Sequence, residues 1–229
     1  MPSKTELIVA LDVATSEQAC ALTKALGQSA DWVKVGKQLF TCCGPEVVRR
    51  LREEYGKKIF LDLKFHDIPN TVGRAVEAAA DLGADMVNVH ASGGSAMLRA
   101  AAEAADGRLI LVAVTVLTSL DTAAMREMGW HCRPAEQVLN LARLSAGAGL
   151  DGVVCSAWEI EMLRRELGSE FKLVVPGIRP AGTDCRDQKR VTTPLDAARA
   201  GATFIVVGRP ITEAPDPAAA AAAIQDELA

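Results

Sequence analysis

The densest group of chemically active residues lies in the segment LDLKFHDIPN, residues 61–70. Asp62 and Lys64 are two positions apart, so on a β-strand both side chains point to the same face. Asp67 follows within reach in the next loop, and Lys34 stands near the end of the preceding apolar run. In such an alternating network each opposite pair, at about 4 Å and an effective dielectric near 20, gains roughly 4 kcal/mol before desolvation. That is enough to keep every member charged.

The neighbours of Lys64 decide which chemistry its amine can do. A lysine that forms a Schiff base needs an apolar pocket or a neighbouring cation, whereas a lysine between carboxylates stays an ammonium ion. Lys64 is therefore predicted to act as a proton donor or a fixed cation rather than as a nucleophile. The alternative interpretation of this motif, taken alone, is a buried ion-pair cluster with no catalytic role.

A second group of residues is typical of phosphate binding. Gly208 and Arg209 stand at the end of the last apolar run, where glycine lets backbone N–H groups approach an anion and arginine supplies a two-pronged donor. The alternative for Arg209 is an ordinary surface arginine. The stretch GIRPAGTDCRDQKRV, residues 177–191, is too long and too polar for a tight connection and is typical of a lid or binding loop. Arg179 and Gln188 are its expected ligand contacts.

Other polar residues in this region leave alternatives open. The glycine-rich turn SGGS at 92–95 is a rival phosphate site, although it ranks below the later loops. His90 ends an apolar run and could be structural or functional. His66 is out of register with the two charged motif residues, so we expect a structural role. Asp12 could cap a helix, but a polar contact in the site is favoured because Thr15 already fills the capping position.

Eight short runs rich in Val, Ile and Leu must position these residues. Runs of this kind indicate strands buried on both faces, hence parallel strands joined by helices. The predicted strands cover 6–11, 31–36, 58–63, 85–90, 108–114, 151–155, 171–176 and 203–208. Eight β/α units in 229 residues favour a closed (β/α)8 barrel over a doubly wound sheet, and no G-x-G-x-x-G motif follows a strand. In such a barrel the carboxyl ends of the strands form the site.

Helix signals lie between the predicted strands. Thr15 begins TSEQ, which fits a capping box, and Thr193 precedes a proline at a first helical turn. Asn70 or Thr71 can cap a helix over 72–82. The segments between strands therefore support the alternating β/α order.

Composition restricts the class of protein. With 229 residues, 49% apolar and 24% charged, the chain is predicted to form one barrel domain over 1–229. A net charge of −4 and 4% aromatic residues give no surface for nucleic acid. Six scattered cysteines favour a reduced cytosolic protein over a disulfide framework. The neighbours Cys42 and Cys43 would point apart on a strand, which disfavours a metal site.

The apolar segments also bear on location. The N-terminal run is interrupted at Asp12, which is too early for a signal peptide. Nor does any run reach the 18 or so apolar residues that a membrane span needs. The sequence therefore predicts a cytoplasmic protein without a membrane segment.

Taken together, the motifs resemble the orotidine 5′-phosphate decarboxylase family in its bacterial form. They are DLKFHDIPNT at 62–71 with Lys34, VTVLTS at 114–119, PGIRP at 176–180 and VGRP at 207–210. The resemblance covers nearly the whole chain, and the D-x-K-x-x-D core is specific in combination with PGIR and the terminal GR. It implies a carbon–carbon lyase of pyrimidine biosynthesis that converts orotidine 5′-monophosphate to UMP without metal or cofactor.

The resemblance also assigns roles to single residues. It implies that Lys64 protonates C6 of the pyrimidine and that Asp62 lies against the departing carboxylate. Asp67 is implied to enter from the partner subunit of a homodimer with composite sites, and Lys34 and Asp12 to hold ribose hydroxyls and the charge network. The pyrimidine contact is assigned to Thr118 or Ser119, and the phosphate contacts to Gln188, Arg179, Gly208 and Arg209. Further implied substrate contacts are Ile68, Thr71 and Pro176.

The implied reaction is physically consistent with this residue set. Loss of CO2 from C6 leaves a carbanion that no enol or imine delocalises, so a fixed cation such as Lys64 must stabilise it. Repulsion between Asp62 and the substrate carboxylate is a secondary contribution. Binding energy from the distant phosphate can close a lid and position the reacting centre.

Two alternative functions follow from the same motifs. Magnesium-dependent sugar-phosphate enzymes, such as hexulose-phosphate synthases and keto-gulonate-phosphate decarboxylases, share the D-x-K-x-x-D strand. They typically carry a carboxylate where Lys34 stands, and a lysine there repels Mg²⁺. The second alternative is a barrel that binds nucleotides without catalysis, which the intact set of charged residues disfavours.

Overall fold

Eight parallel strands close into a barrel in chain order, each paired with the next and the last with the first. The computed structural model describes residues 4–180 and 192–228. The strands are β1 (Glu6–Ala10), β2 (Trp32–Gly36), β3 (Lys58–Phe65), β4 (Met86–His90), β5 (Ile110–Val114), β6 (Gly152–Val154), β7 (Lys172–Pro176) and β8 (Phe204–Val207). All eight predicted strands and the (β/α)8 fold class are confirmed.

Helices connect the strands and surround the barrel. They are α1 (Ser16–Leu26), α2 (Lys37–Cys43), α3 (Glu46–Glu53), α4 (Pro69–Asp81), α5 (Gly94–Ala105), α6 (Thr122–Glu127), α7 (Pro134–Gly147), α8 (Ile160–Leu167), α9 (Pro194–Ala200), α10 (Arg209–Thr212) and α11 (Pro217–Glu227). Short 3₁₀ turns at Ala91–Gly93 and Ala157–Glu159 precede α5 and α8. No helix in the described ranges combines the length and apolar character that crossing a membrane requires.

Local signals explain where several helices begin. Thr15 caps α1 in a capping box with Gln18, and Thr193 caps α9 ahead of a proline, both as predicted. The predicted start of α4 was wrong, because the helix begins at Pro69 with Ile68 as its N-cap. Asn70 and Thr71 therefore lie inside its first turn. Proline is suited to that first position because its fixed φ matches the helix and its missing N–H would have no helical partner.

The adjacent cysteines lie in a helix rather than on a strand. Cys42 and Cys43 are the last two residues of α2, which corrects the prediction that alternation on a strand separates their side chains. The described cysteines, Cys20, Cys42, Cys43, Cys132 and Cys155, are free thiols.

Alternation along the strands divides the core into two parts. One part fills the barrel interior and contains Ile8, Ala10, Trp32, Phe60, Met86, Val112, Val174, Phe204 and Val206. The larger part packs between the barrel and its helices. Lys34, Asp62 and Asn88 each follow an interior apolar residue by two positions on β2, β3 and β4. The period of two thus places polar side chains in the layer above the apolar interior.

The pairing of β3 with β4 is interrupted where the site begins. Leu61 pairs with Val87 and Phe65 with Val89, so three residues of β3 lie opposite one residue of β4. Within this bulge Lys64 has φ 56°, in the left-handed region. That conformation costs a residue other than glycine about 1 kcal/mol or more, so neighbouring contacts must hold it in place.

Candidate active site

Charged residues from three neighbouring strands meet at the carboxyl end of the barrel. The ammonium Nζ of Lys34 lies 2.9 Å from Asp12 Oδ1 and 3.5 Å from Asp62 Oδ2. The Nζ of Lys64 contacts Asp62 Oδ1. Carboxylates and ammonium groups therefore alternate across the open end of the barrel, in the order Asp12, Lys34, Asp62, Lys64. The structure brings these residues together as the strand pattern predicted, and Asp12 uses its carboxylate in the site rather than as a helix cap.

Burial differs sharply along this network. The side chains of Lys34 and Asp62 are 11% and 13% exposed, and that of Lys64 is 25% exposed, whereas that of Asp12 is 64% exposed. Burial raises the cost of ionising Asp62, but Lys34, Lys64 and the hydrogen bonds that its carboxylate accepts outweigh this cost. Together they hold the pKa of Asp62 below its ordinary value. Asp62 is therefore an anion at neutral pH and a fixed partner for both ammonium groups.

Asn88 is a site residue that the sequence interpretation missed. It is 1% exposed on β4, and its Nδ2 donates to Asp62 Oδ1 at 2.7 Å. Its Oδ1 accepts from the backbone N–H of Lys64 at 2.8 Å. A usable signal was present in the sequence, since Asn interrupts the apolar strand MVNVH at an inward position. A buried amide needs partners, and this one finds them in the two charged motif residues.

A cavity of about 220 Å³ opens next to the charged residues. Its polar lining residues include Lys34, Asp62, Lys64, Asn88 and Thr118, and its apolar lining residues include Val116, Leu117, Val154 and Pro176. Thr118 and Pro176 therefore share a cavity with the ammonium of Lys64, whereas Ser119 is exposed and does not line it. A cavity lined by both charged and apolar side chains suits a flat polar ring that must lie against a cation.

The predicted phosphate residues lie after β7 and β8. Gly208 follows β8 close to the site, because a side chain there would begin 3.6 Å from Ala10 Cβ and 3.7 Å from Asp12 Oδ2. Arg209 is the first residue of α10. Arg179 is 7% exposed, and its buried Nε has no hydrogen-bond partner among the residues that the structure describes. Gln188 lies outside the described residues.

The predicted site residues of the loop after β3 do not line this cavity. Asp67 is exposed and accepts a hydrogen bond from the N–H of Ile68 at 2.7 Å, but within the described ranges it forms no ion pair. Ile68 is 66% exposed, and Thr71 is also exposed. A single chain therefore does not bring Asp67 to Lys64, so its predicted place in a partner subunit's site stays a prediction.

The two histidines lie together beside the network. The rings of His66 and His90 have centroids 5.4 Å apart. Burial, and then the nearby His66, Lys37 and Lys64, lower the pKa of His90. His90 is therefore neutral at pH 7 and adds no positive charge next to Lys64.

Sequence and structure comparisons identify the family. A model of the orotidine 5′-phosphate decarboxylase / HUMPS family matches residues 5–224. The chain belongs to this family. It is 51% identical over 228 residues to the orotidine 5′-phosphate decarboxylase of Vibrio parahaemolyticus, a match that covers 98% of this chain and 97% of the relative. The enzyme of the same name from Nitrosococcus oceani is 53% identical over 228 residues, with 98% of each chain covered.

A solved structure gives the same result. The crystal structure of orotidine 5′-phosphate decarboxylase from Lactobacillus acidophilus matches with a TM-score of 0.87 at 42% identity and covers 98% of this chain and 99% of its own. These comparisons confirm the resemblance that the motifs indicated and, with it, the predicted enzyme class, a carbon–carbon lyase. The roles of individual residues remain predictions.

Proposed function

We propose that this chain decarboxylates orotidine 5′-monophosphate to UMP, the last step of pyrimidine nucleotide synthesis, without a metal or an organic cofactor. The observation that carries the proposal is the ammonium of Lys64, held by the Asp62 carboxylate in a cavity that is lined by both charged and apolar side chains. The names of the relatives support the substrate. The charged network supports the mechanism.

The reaction uses the fixed positive charge of Lys64. The bond between C6 and the carboxylate breaks, CO2 leaves, and the electron pair remains on C6. Lys64 stabilises this carbanion and then transfers a proton from Nζ to C6. Asp62 holds the ammonium in place and faces the departing carboxylate, so the repulsion between the two anions disappears as CO2 leaves.

The phosphate end supplies binding energy for this step. Gly208, Arg209, Arg179 and Gln188 hold the 5′-phosphate in the proposal, and Lys34 and Asp12 hold the ribose hydroxyls. The position of Gly208 near Asp12 supports a nucleotide that spans from the β8 end to the β3 end of the mouth. Binding energy from a phosphate far from the reacting carbon can be used to position the pyrimidine against Lys64.

The working unit in this proposal is a homodimer located in the cytoplasm, with Asp67 of each chain completing the site of the other. The large exposed surface of Ile68, next to Asp67, supports a contact with a second chain at this loop. Asp67 would then add a second carboxylate near Lys64.

The absorbance of orotidine 5′-monophosphate provides the decisive assay. We expect the purified protein to convert it to UMP at the same rate with and without excess EDTA. A magnesium-dependent relative would lose activity with EDTA and regain it with Mg²⁺. The ammonium of Lys34 between Asp12 and Asp62 disfavours that alternative, because it repels a divalent cation from both carboxylates. A protein that binds UMP but leaves the absorbance unchanged would be a nucleotide-binding barrel without catalysis.

A further inference from the structure

Asn88 occupies the point where the β3–β4 ladder is broken. Leu61 pairs with Val87 and Phe65 with Val89, so Asn88 alone faces the bulged residues of β3. In an unbroken ladder a backbone carbonyl of β4 would accept from β3. Here the side-chain Oδ1 of Asn88 accepts from the backbone N–H of Lys64 at 2.8 Å. The side chain thus replaces a missing ladder contact at the residue with φ 56°.

The amide nitrogen of Asn88 holds Asp62, the carboxylate that contacts the Lys64 side chain. Nδ2 of Asn88 donates to Asp62 Oδ1 at 2.7 Å, and this oxygen also contacts Lys64 Nζ. The second oxygen, Oδ2, faces Lys34 Nζ at 3.5 Å. The donor therefore sets which carboxylate oxygen faces which lysine. Because Asn88 is 1% exposed, water cannot readily substitute for either bond.

We propose that Asn88 is a positioning residue that holds the backbone of Lys64 and the carboxylate of Asp62 in one arrangement, and so aims the Lys64 ammonium at the reacting carbon. The proposal rests on the function proposed above, because it assigns Asn88 a role through Lys64. Both polar ends of its side chain are already bonded to protein groups, so Asn88 acts on the reaction without contributing a reacting atom.

The residue type is suited to this double task. An amide has a donor and an acceptor on one short side chain, whereas a carboxylate only accepts and leucine, of similar size, does neither. Neutrality also matters, because a second anion at this position would compete with Asp62 for the Lys64 ammonium. Asparagine therefore fits the position better than its isosteres.

Asn88→Leu removes both bonds while keeping the volume of the side chain. We expect kcat for orotidine 5′-monophosphate to fall at least about tenfold, because small displacements of a reacting group are costly. The Kd for UMP, measured by calorimetry, should stay within about threefold, because the product is held mainly through its phosphate and ribose. Thr5→Val is the matched control, since it removes a buried hydrogen bond to Ala202 O at the opposite end of the barrel. It should leave both constants unchanged.

In the Asn88→Asp variant, the pH decides whether the side chain at position 88 makes one or both of these hydrogen bonds. The ionised carboxylate still accepts from the Lys64 N–H but cannot donate to Asp62, whereas the protonated acid does both. We expect the kcat of this variant, relative to wild type, to rise as the pH falls. Among the described residues, the charged and titratable groups that line the cavity with Asn88 are Asp62 and Lys64 on β3, Lys34 on β2, and Cys155 after β6. His90 lies two positions further along β4 with His66 beside its ring, while the β5 partner Val112 is apolar. Wild type carries the same neighbours, so dividing by its pH profile removes their ordinary titration and leaves the effect of the introduced carboxyl group and of its coupling to Asp62.

The outcomes distinguish the inference from the proposed function. A wild-type protein that does not decarboxylate orotidine 5′-monophosphate refutes the function itself. An active wild type with an equally active Asn88→Leu variant overturns only the positioning role, as does a variant in which kcat and UMP affinity fall in proportion. If Asn88→Leu does not fold, the Asn88→Asp variant provides the test. A kcat of Asn88→Asp, relative to wild type, that does not change with pH contradicts the proposal.

Discussion

At the scale of single residues, the site depends on charges that hold one another in place. Asp62 is buried, yet Lys34 and Lys64 keep its pKa below the ordinary value, so it stays ionised at neutral pH. Because its pKa is lowered in the folded state, its contribution to stability is present above about pH 4 and is lost as the pH falls through the lowered pKa. The carboxylate that positions the lysine is therefore charged throughout the neutral range.

Lys64 and Arg209 should respond differently to truncation. Lys64→Ala removes the cation that we propose faces the developing carbanion, so we expect turnover to fall to background; loss of even one fixed donor costs about 100- to 1,000-fold in kcat. Arg209→Ala removes a proposed phosphate contact and should mainly lower kcat/KM. Steady-state kinetics with orotidine 5′-monophosphate measure both. A Lys64→Ala protein with the normal rate would refute the mechanism, while normal UMP binding by this variant shows that its site is intact.

At the scale of elements, strands β6 and β7 approach each other closely at one glycine. Gly152 on β6 pairs in register with Lys172 on β7. A Cβ at position 152 would overlap the carbonyl oxygen of Lys172, which is backbone and cannot rotate away. The short strand β6 therefore requires glycine at this position in order to lie against β7.

Gly152→Ala tests this requirement. We expect the free energy of unfolding to fall by about 3 kcal/mol, the upper part of the range for overpacking a core. Gly147→Ala is the control, because Gly147 is the last residue of α7 and a Cβ there meets nothing within 4 Å. That variant should be unchanged or up to about 1 kcal/mol more stable. Urea denaturation measures both, and equal stability of the two variants would show that β6 and β7 separate at little cost.

At the scale of the whole molecule, the repeating pattern of strands was readable from the sequence, while local departures from regular geometry were not. Eight apolar runs predicted the barrel, and the period of two placed Asp62 and Lys64 on one face. The bulge at Lys64 was not predictable, because the backbone N–H of this left-handed residue donates to Asn88, a residue on another strand. The start of α4 at Pro69 was likewise missed, since Asn70 and Thr71 are residue types that commonly cap helices.

The loop that carries Asp67 raises the question of what a complete site contains. Within the described residues of one chain, Asp67 forms no ion pair, and its exposed neighbour Ile68 is available for contact with a second chain. In the proposed dimer each site combines Lys64 of one chain with Asp67 of the other. A symmetric dimer of this kind has two identical composite sites, and each single substitution inactivates both.

Mixing two inactive variants tests this arrangement directly. Lys64→Ala and Asp67→Ala should each be inactive alone. After equal amounts of the two are unfolded together and refolded, half of the dimers are mixed, and one of their two sites has both native residues. We therefore expect about a quarter of the wild-type activity, as random reassortment of subunits requires. If each site were built within one chain, the mixture would stay inactive; sedimentation of the wild type and of each variant establishes that dimers form in every sample.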